Sequence, residues 1–271
     1  MLPFLHFRKI CGILVAVAVM HYGHIKRSEG SFVAHLFAKK RFSAVILAGG
    51  SSSRMGGVSK QHQRLLGTPV AIYTLRAFES CSECEEIIVV SKADECPLFE
   101  EYRSEYGLKK LKTVLPGGKT RQESAFIGMK AIGEKISYIA IHDAARCLIT
   151  PQQIGKVFTA ATRTDAATAA CPATDTVKFV SSAMKTETEG QPDRSKLWNM
   201  QTPQIFYADL YRAAAYTAAE KGFAATDDCS LLENVGFGCT VVDCGRENIK
   251  ITTPIDLVLA EAILKARQKG E

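Results

Sequence analysis

Residues 47 to 57 read Leu-Ala-Gly-Gly-Ser-Ser-Ser-Arg-Met-Gly-Gly, and Lys60 follows shortly after. A loop so rich in glycine and serine lets backbone N–H groups come close to a phosphate chain, because few side chains stand in the way. Arg54 and Lys60 add fixed positive charge, which suits the negative charge that develops on a transferring phosphoryl group. The spacing is neither that of the dinucleotide fingerprint G-x-G-x-x-G nor that of the G-x-x-x-x-G-K-[ST] phosphate loop. What remains is A-G-G-x-x-x-R-M-x-x-x-x-K, a phosphate cradle carrying two cations.

Such a cradle needs a rigid platform, and the surrounding sequence supplies one. From Ser43 onward, short runs rich in Val and Ile alternate with helical segments, the pattern of an α/β domain. Ala44 to Ala48, Ile87 to Val90, Lys112 to Leu115, Tyr138 to His142, Ala166 to Cys171 and Thr240 to Asp243 are predicted strands. Several are apolar throughout, as a parallel sheet buried on both faces requires. The expected fold is a Rossmann-like, mostly parallel sheet with helices on both faces. Its carboxyl edge, where the first loop emerges, is where such folds bind ligands. Thr120 with Glu123 and Thr150 with Gln153 predict capping boxes, and Thr68-Pro69, Thr150-Pro151 and Thr253-Pro254 each place proline at a first helical position. One polar segment, Thr176 to Leu197, carries Gly190 and Pro192 and interrupts the alternation. It reads as an extended β-arm, about residues 174 to 197, that packs on a partner subunit.

The chain has 271 residues and 46% apolar content, enough for one full core, and a formal charge of +6. Seven basic residues (Arg8, Lys9, Lys26, Arg27, Lys39, Lys40 and Arg41) face a single acid, Glu29, within residues 1 to 42, which leaves the rest of the chain neutral. A nucleic-acid footprint would need its basic excess on the folded part, so no nucleic-acid partner is expected. Nine cysteines in a chain of this length read as reduced thiols of a cytoplasmic protein, and Cys81-x-x-Cys84 has no second pair to complete a zinc site. Ile10 to Met20 is an apolar run too short for a membrane span, and membrane contact is not expected. Residues 1 to 42 form an N-terminal extension outside the domain at 43 to 271; an over-long or disordered start, a membrane signal and a transit peptide all remain open for it.

The first loop resembles the signature of glycosyltransferase-A-like nucleotidylyltransferases. Further segments follow in order: Pro116-Gly117-Gly118 with Arg121 and Ser124, His142-Asp143-Ala144-Ala145-Arg146, Thr174-Asp175-Thr176-Val177-Lys178, Gln201-Thr202-Pro203-Gln204 with Thr226-Asp227-Asp228, and Asn248-Ile249-Lys250-Ile251-Thr252. As an ordered set they are similar to the 2-C-methyl-D-erythritol 4-phosphate cytidylyltransferase family, over about Ser43 to Lys265.

The resemblance implies CTP and a polyol phosphate as substrates, Mg²⁺ as the cation and a homodimer as the working unit. It implies that Ala48, Gly49 and Gly50 meet the nucleotide through backbone, that Gly118 and Ser124 lie at the cytosine, and that Ala144 belongs to the same nucleotide site. Arg54, Lys60 and Lys250 would be the catalytic cations. Asp143 would ligate or orient the metal, while Asp143, Arg146, Thr176, Arg194, Thr226 and Lys250 would position the sugar phosphate, with Thr176 and Arg194 coming from the neighbouring arm. Cys147 stands where the family usually has Pro, Lys119 where an acid can occur, and Asp228 where Glu is frequent; none of these removes a cation. Ribitol-5-phosphate cytidylyltransferase is the nearest alternative, although the Ala144-Ala145 pair fits the methylerythritol enzyme better. A molybdopterin guanylyltransferase would lack the segments around His142 and Asn248, and a non-catalytic nucleotide-binding protein would be expected to have lost one of the three cations.

Overall fold

The computed structural model describes residues 40 to 50, 59 to 181 and 187 to 270. Arg54 and the apolar run Ile10 to Met20 lie outside the described residues. The elements follow in the order β1 (Phe42–Leu47), β2 (Arg64–Leu65), β3 (Thr68–Pro69), α1 (Val70–Ser80), β4 (Cys84–Ser91), α2 (Cys96–Glu105), β5 (Leu111–Pro116), α3 (Arg121–Ala131), β6 (Tyr138–Asp143), α4 (Pro151–Thr164), β7 (Ala166–Pro172), β8 (Phe179–Val180), β9 (Thr188–Gly190), β10 (Trp198–Tyr207), α5 (Ala208–Lys221), α6 (Asp228–Asn234), β11 (Thr240–Asp243) and α7 (Pro254–Lys269).

Seven strands form one sheet in the order β11-β7-β10-β6-β1-β4-β5. All six expected strands belong to it, with ends that differ by a few residues. The seventh, β10, runs antiparallel to both β6 and β7 and is the only described strand of this sheet to do so. This segment is not among the strands expected from the sequence: Gln201, Thr202 and Gln204 are polar, and Pro203 has no N–H to give to a ladder. The register shifts between Met200 and Gln204, which is where that proline sits.

β1 shows how the sheet is held. Every residue of Phe42–Leu47 is buried. Phe42, Ala44 and Ile46 pack on one face against Leu75 and Phe78 of α1 and Val157 and Phe158 of α4. Val45 and Leu47 join the opposite face with Met129 of α3 and Tyr211 of α5. This alternation is the period of two of an extended strand, with apolar residues at both phases because helices cover both faces. α7 lies over a third cluster that includes Leu65, Leu148 and Ile251.

The helix starts follow the sequence signals in part. Thr150 forms a complete capping box with Gln153, and Thr253 forms one with Asp256. Thr120 accepts from the Glu123 N–H, but the Glu123 carboxylate accepts from the Lys119 N–H instead of completing the box. Thr68-Pro69 is a correction: the pair forms β3, and α1 begins after Pro69. The expected arm contains a small hairpin in which β8 pairs with β9, and every residue of both strands is exposed.

α3 approaches β1 and β4 so closely that a Cβ on Gly128 would run into Val45 and lie 3.0 Å from Val90. Gly128→Ala is therefore expected to lower stability by about 1–3 kcal/mol through overpacking. Urea unfolding would read this as a lower midpoint at an unchanged slope; a midpoint equal to that of the parent would refute the close packing.

Candidate active site

Parallel register brings the strand ends together. Leu47 lies beside Val90 on β4 and beside Asp143 on β6, while Ser91 lies beside Pro116 on β5. Just past these ends, the Ala48 N–H donates to the Val90 carbonyl, the Ala144 N–H to Leu47 and the Gly117 N–H to Ser91. The backbone of Ala48–Gly50, of Gly117–Gly118 and of Asp143–Ala144 thus shares one edge of the sheet. A Cβ placed on Gly50 would lie 4.0 Å from the Lys60 ammonium, so this cation stands over the glycine turn. Gly117 and Gly118 cannot be replaced without movement. Their Cβ atoms would come 2.8 Å from the Ser124 hydroxyl and 2.5 Å from the Glu123 side chain. Ser124 itself accepts from the Gly118 N–H and donates to the Thr120 carbonyl, which ties the glycine turn to the start of α3.

Charge is concentrated at the end of β6. The Asp143 carboxylate has Arg121 Nε at 3.1 Å on Oδ1 and Lys250 Nζ at 2.6 Å on Oδ2, with Arg146 Nε 3.9 Å away. Burial alone would raise its pKa, but Arg121 and Lys250 outweigh burial and hold the carboxyl far below the usual carboxylate range. Lys250 arrives through a backbone tether, since the Ile251 N–H donates to the Ala145 carbonyl. Arg146 is fixed by donating to the Asn248 and Met200 carbonyls. The Asn248 amide in turn donates to Gln201 Oε1 and to the Thr202 carbonyl.

Beneath this cluster lies a neutral support. The Asp143 N–H donates to Thr202 Oγ1, which lies 3.0 Å from Nδ1 of the fully buried His142, whose Nε2 is 3.4 Å from the Arg146 carbonyl. Nε2 can only donate to a carbonyl, so the ring carries its proton there and Nδ1 accepts from the threonine hydroxyl. Burial pushes the pKa of His142 down to about 3, which keeps this ring uncharged beside Asp143.

The other expected site residues lie elsewhere. Thr176 and Arg194 are exposed on the arm, where Arg194 donates to the Thr174 carbonyl. Thr226 lines a cavity of about 440 Å³ with Thr168, Met200, Asp227 and Val241. Among the described residues no three His, Cys, Asp or Glu side chains gather to hold a metal. The Asp143 carboxylate retains acceptor capacity at the edge, with Arg121 hydrogen-bonded to Oδ1 and Lys250 to Oδ2. That fits an ion that arrives with a phosphate chain and keeps most of its water.

Arg121, absent from the expected site residues, is central here. It bridges Asp143 to Asp228, with Nη1 2.6 Å from Asp228 Oδ2. A signal existed: Arg121 opens α3, where the helix dipole disfavours a cation, and that conflict calls for anionic partners.

A mostly parallel sheet whose carboxyl edge offers glycine turns and clustered cations defines a nucleotidyltransferase of α/β type. A family model described as IspD, 2-C-methyl-D-erythritol 4-phosphate cytidylyltransferase, matches residues 42–266, and the chain belongs to that family. It is similar to the 2-C-methyl-D-erythritol 4-phosphate cytidylyltransferase of Bacillus velezensis, with 40% identity over 227 residues, 83% of this chain and 96% of the relative. Among solved structures it resembles the 4-diphosphocytidyl-2C-methyl-D-erythritol synthase of Anaerococcus prevotii, with a TM-score of 0.75, 29% identity and coverage of 83% of this chain and 96% of that one. It also resembles the 2-C-methyl-D-erythritol 4-phosphate cytidylyltransferase of Thermus thermophilus, with a TM-score of 0.68, 29% identity and coverage of 83% and 99%.

The buried neutral His142 makes stability depend on pH. The unfolded chain takes up a proton near the ordinary histidine value of 6.5, whereas the folded chain resists until about pH 3. The unfolded state therefore binds more protons between those values, and stability falls as pH drops through that window. The depressed carboxyl of Asp143 adds to the loss only below the ordinary carboxylate range. Melting temperature measured from pH 7.5 to 4.5 should decline, and His142→Asn should flatten the decline while lowering the value at pH 7.5; parallel curves would rule out His142 as its source.

Proposed function

We propose that the chain transfers CMP from CTP to 2-C-methyl-D-erythritol 4-phosphate, giving 4-diphosphocytidyl-2-C-methyl-D-erythritol and pyrophosphate, in the non-mevalonate route to isoprenoid precursors. The observation that carries this reading is the meeting of two glycine turns with the Asp143, Arg121, Arg146 and Lys250 cluster at one sheet edge. Membership of the family supplies the substrates.

The chemistry follows from charge. An acceptor phosphate is already an anion, so its oxygen attacks the α-phosphorus without a general base, a new P–O bond forms, and pyrophosphate leaves in line. The protein's part is to hold the two phosphates together and to balance the charge that accumulates between them. In this reading Ala48, Gly49 and Gly50 present backbone to the nucleotide, Gly118, Ser124 and Ala144 line the base and its sugar, and Arg54, Lys60 and Lys250 neutralise the reacting phosphates. Magnesium, held by Asp143, would supply further neutralisation of the triphosphate. Arg146 and Thr226 take the acceptor.

We also read the working form as a homodimer in the cytoplasm, with the domain at 43 to 271 and the arm at about 174 to 197 reaching a second copy. The arm carries Val177, Phe179 and Val180 exposed, with Trp198 exposed at its base. An isolated subunit gains nothing from presenting so many large apolar groups on one projection. A second copy would cover them and bring Thr176 and Arg194 to the acceptor phosphate.

Pyrophosphate release with CTP, Mg²⁺ and a panel of polyol phosphates tests the assignment; preference for ribitol 5-phosphate would overturn the acceptor. Lys60→Ala and Lys250→Ala are each expected to lower kcat/KM by about 10²–10³, and near-normal turnover in either would refute its role. Phe179→Asp is expected to shift light-scattering mass from dimer to monomer and to weaken turnover.

A further inference from the structure

The Arg121 guanidinium is divided between two carboxylates. Its Nε reaches Asp143 Oδ1 at 3.1 Å, and its Nη1 reaches Asp228 Oδ2 at 2.6 Å. A lone arginine facing a lone carboxylate favours a two-pronged fork that occupies both oxygens. Here the fork is split, and Asp143 keeps Oδ2 for Lys250 at 2.6 Å.

What holds the fork apart is a buried assembly on the far side of Arg121. The Asp228 side chain is 1% exposed. Its other oxygen, Oδ1, accepts from the Tyr211 hydroxyl at 2.6 Å, and its N–H donates to Gln204 Oε1 at 2.9 Å. Asp228 is the first residue of α6, where a carboxylate is favoured by the helix dipole. The Tyr211 ring stacks on Phe206 of β10, with 4.9 Å between centroids and planes 7° apart. Gln204 is on the same strand and also donates to Asp227, the residue that caps α6. Asp228 is therefore fixed on three sides by α5, α6 and β10, and Arg121 is drawn toward it.

We propose that Asp228 and Tyr211 are positioning residues for the reaction. By holding one arm of Arg121, they stop its fork from closing on Asp143 and so keep Lys250 seated at Asp143 Oδ2, at the sheet edge. Neither residue lies on the elements that carry the proposed catalytic cations, and neither touches Lys250; they act through Arg121 and Asp143. The effect on turnover rests on the functional reading given above, whereas the division of Arg121 does not.

The test uses the full chain and the variants Asp228→Asn, Asp228→Glu and Tyr211→Phe, with two measurements. Trace acylation with acetic anhydride, followed by peptide mass spectrometry, reports how firmly Lys250 is engaged, because a side chain held against a carboxylate is less accessible to the reagent than one released from it. Lys265, paired with Glu261 at 2.7 Å on α7, is the internal control. In Asp228→Asn the fork closes on Asp143, and Lys250 labelling is expected to rise at least about threefold over the control while kcat falls about tenfold or more and KM for CTP changes little. Asp228→Glu keeps the charge and should return both values toward those of the parent. Tyr211→Phe keeps the stacked ring, and should move both in the same direction by less. Should Asp228→Asn fail to fold, Tyr211→Phe decides. A folded Asp228→Asn, or in its absence Tyr211→Phe, whose Lys250 labels as in the parent overturns the proposal, and so does parental kcat in that variant. A parent chain that releases no pyrophosphate with any acceptor overturns the functional reading and the claim on turnover, while the labelling ratio still decides whether Asp228 divides Arg121.

Discussion

A single buried carboxylate, Asp143, organises this molecule. Left alone at the end of a central strand it would be strongly destabilising, because an unpaired charge removed from water has nothing to replace its hydration. Arg121, Arg146 and Lys250 converge on it from α3, from the turn after β6 and from the segment before α7. Arg146 is a near neighbour in sequence, but Arg121 and Lys250, 22 and 107 residues away, are brought to it by the assembled sheet. The ion cluster is thus the place where the two helical layers and the sheet meet, and its net positive charge is what an anionic ligand would encounter.

That cluster also explains why neutral residues sit beneath it. A further charge beneath the cluster would disturb its balance, and His142, which directly precedes Asp143, is held neutral by burial. Its ring serves as a hydrogen-bonding spacer between Thr202 and the Arg146 carbonyl. Polar groups inside β10, which weaken the case for a strand when read alone, turn out to be the wiring of this support.

Much of the fold was legible because buried parallel strands read as uninterrupted apolar runs. β10 was not, since Gln201, Thr202 and Gln204 face buried polar partners and mimic the composition of a loop. The glycine turns were legible from residue types alone. Arg121 as a bridge was not: its two partners are 22 and 107 residues away, and only the completed sheet brings them together. Thr176 and Arg194 lie exposed on an arm whose apolar side chains are uncovered within one chain, away from the cluster at Asp143.

The reversed direction of β10 has a further effect. β7 ends and β10 begins at paired residues, Pro172 beside Trp198, and the ladder continues outward through Ala173 and Leu197. The intervening chain is therefore cinched at its root, whatever its length. Closing a flexible loop costs only about 0.6 kcal/mol more for each doubling of length. Residues can thus be gained or lost in the projection with little penalty to the sheet, while the cluster around Asp143 tolerates no such latitude. The architecture separates a part free to diversify its contacts from a part whose geometry must stay constant, and it joins the two at one hydrogen-bonded neck.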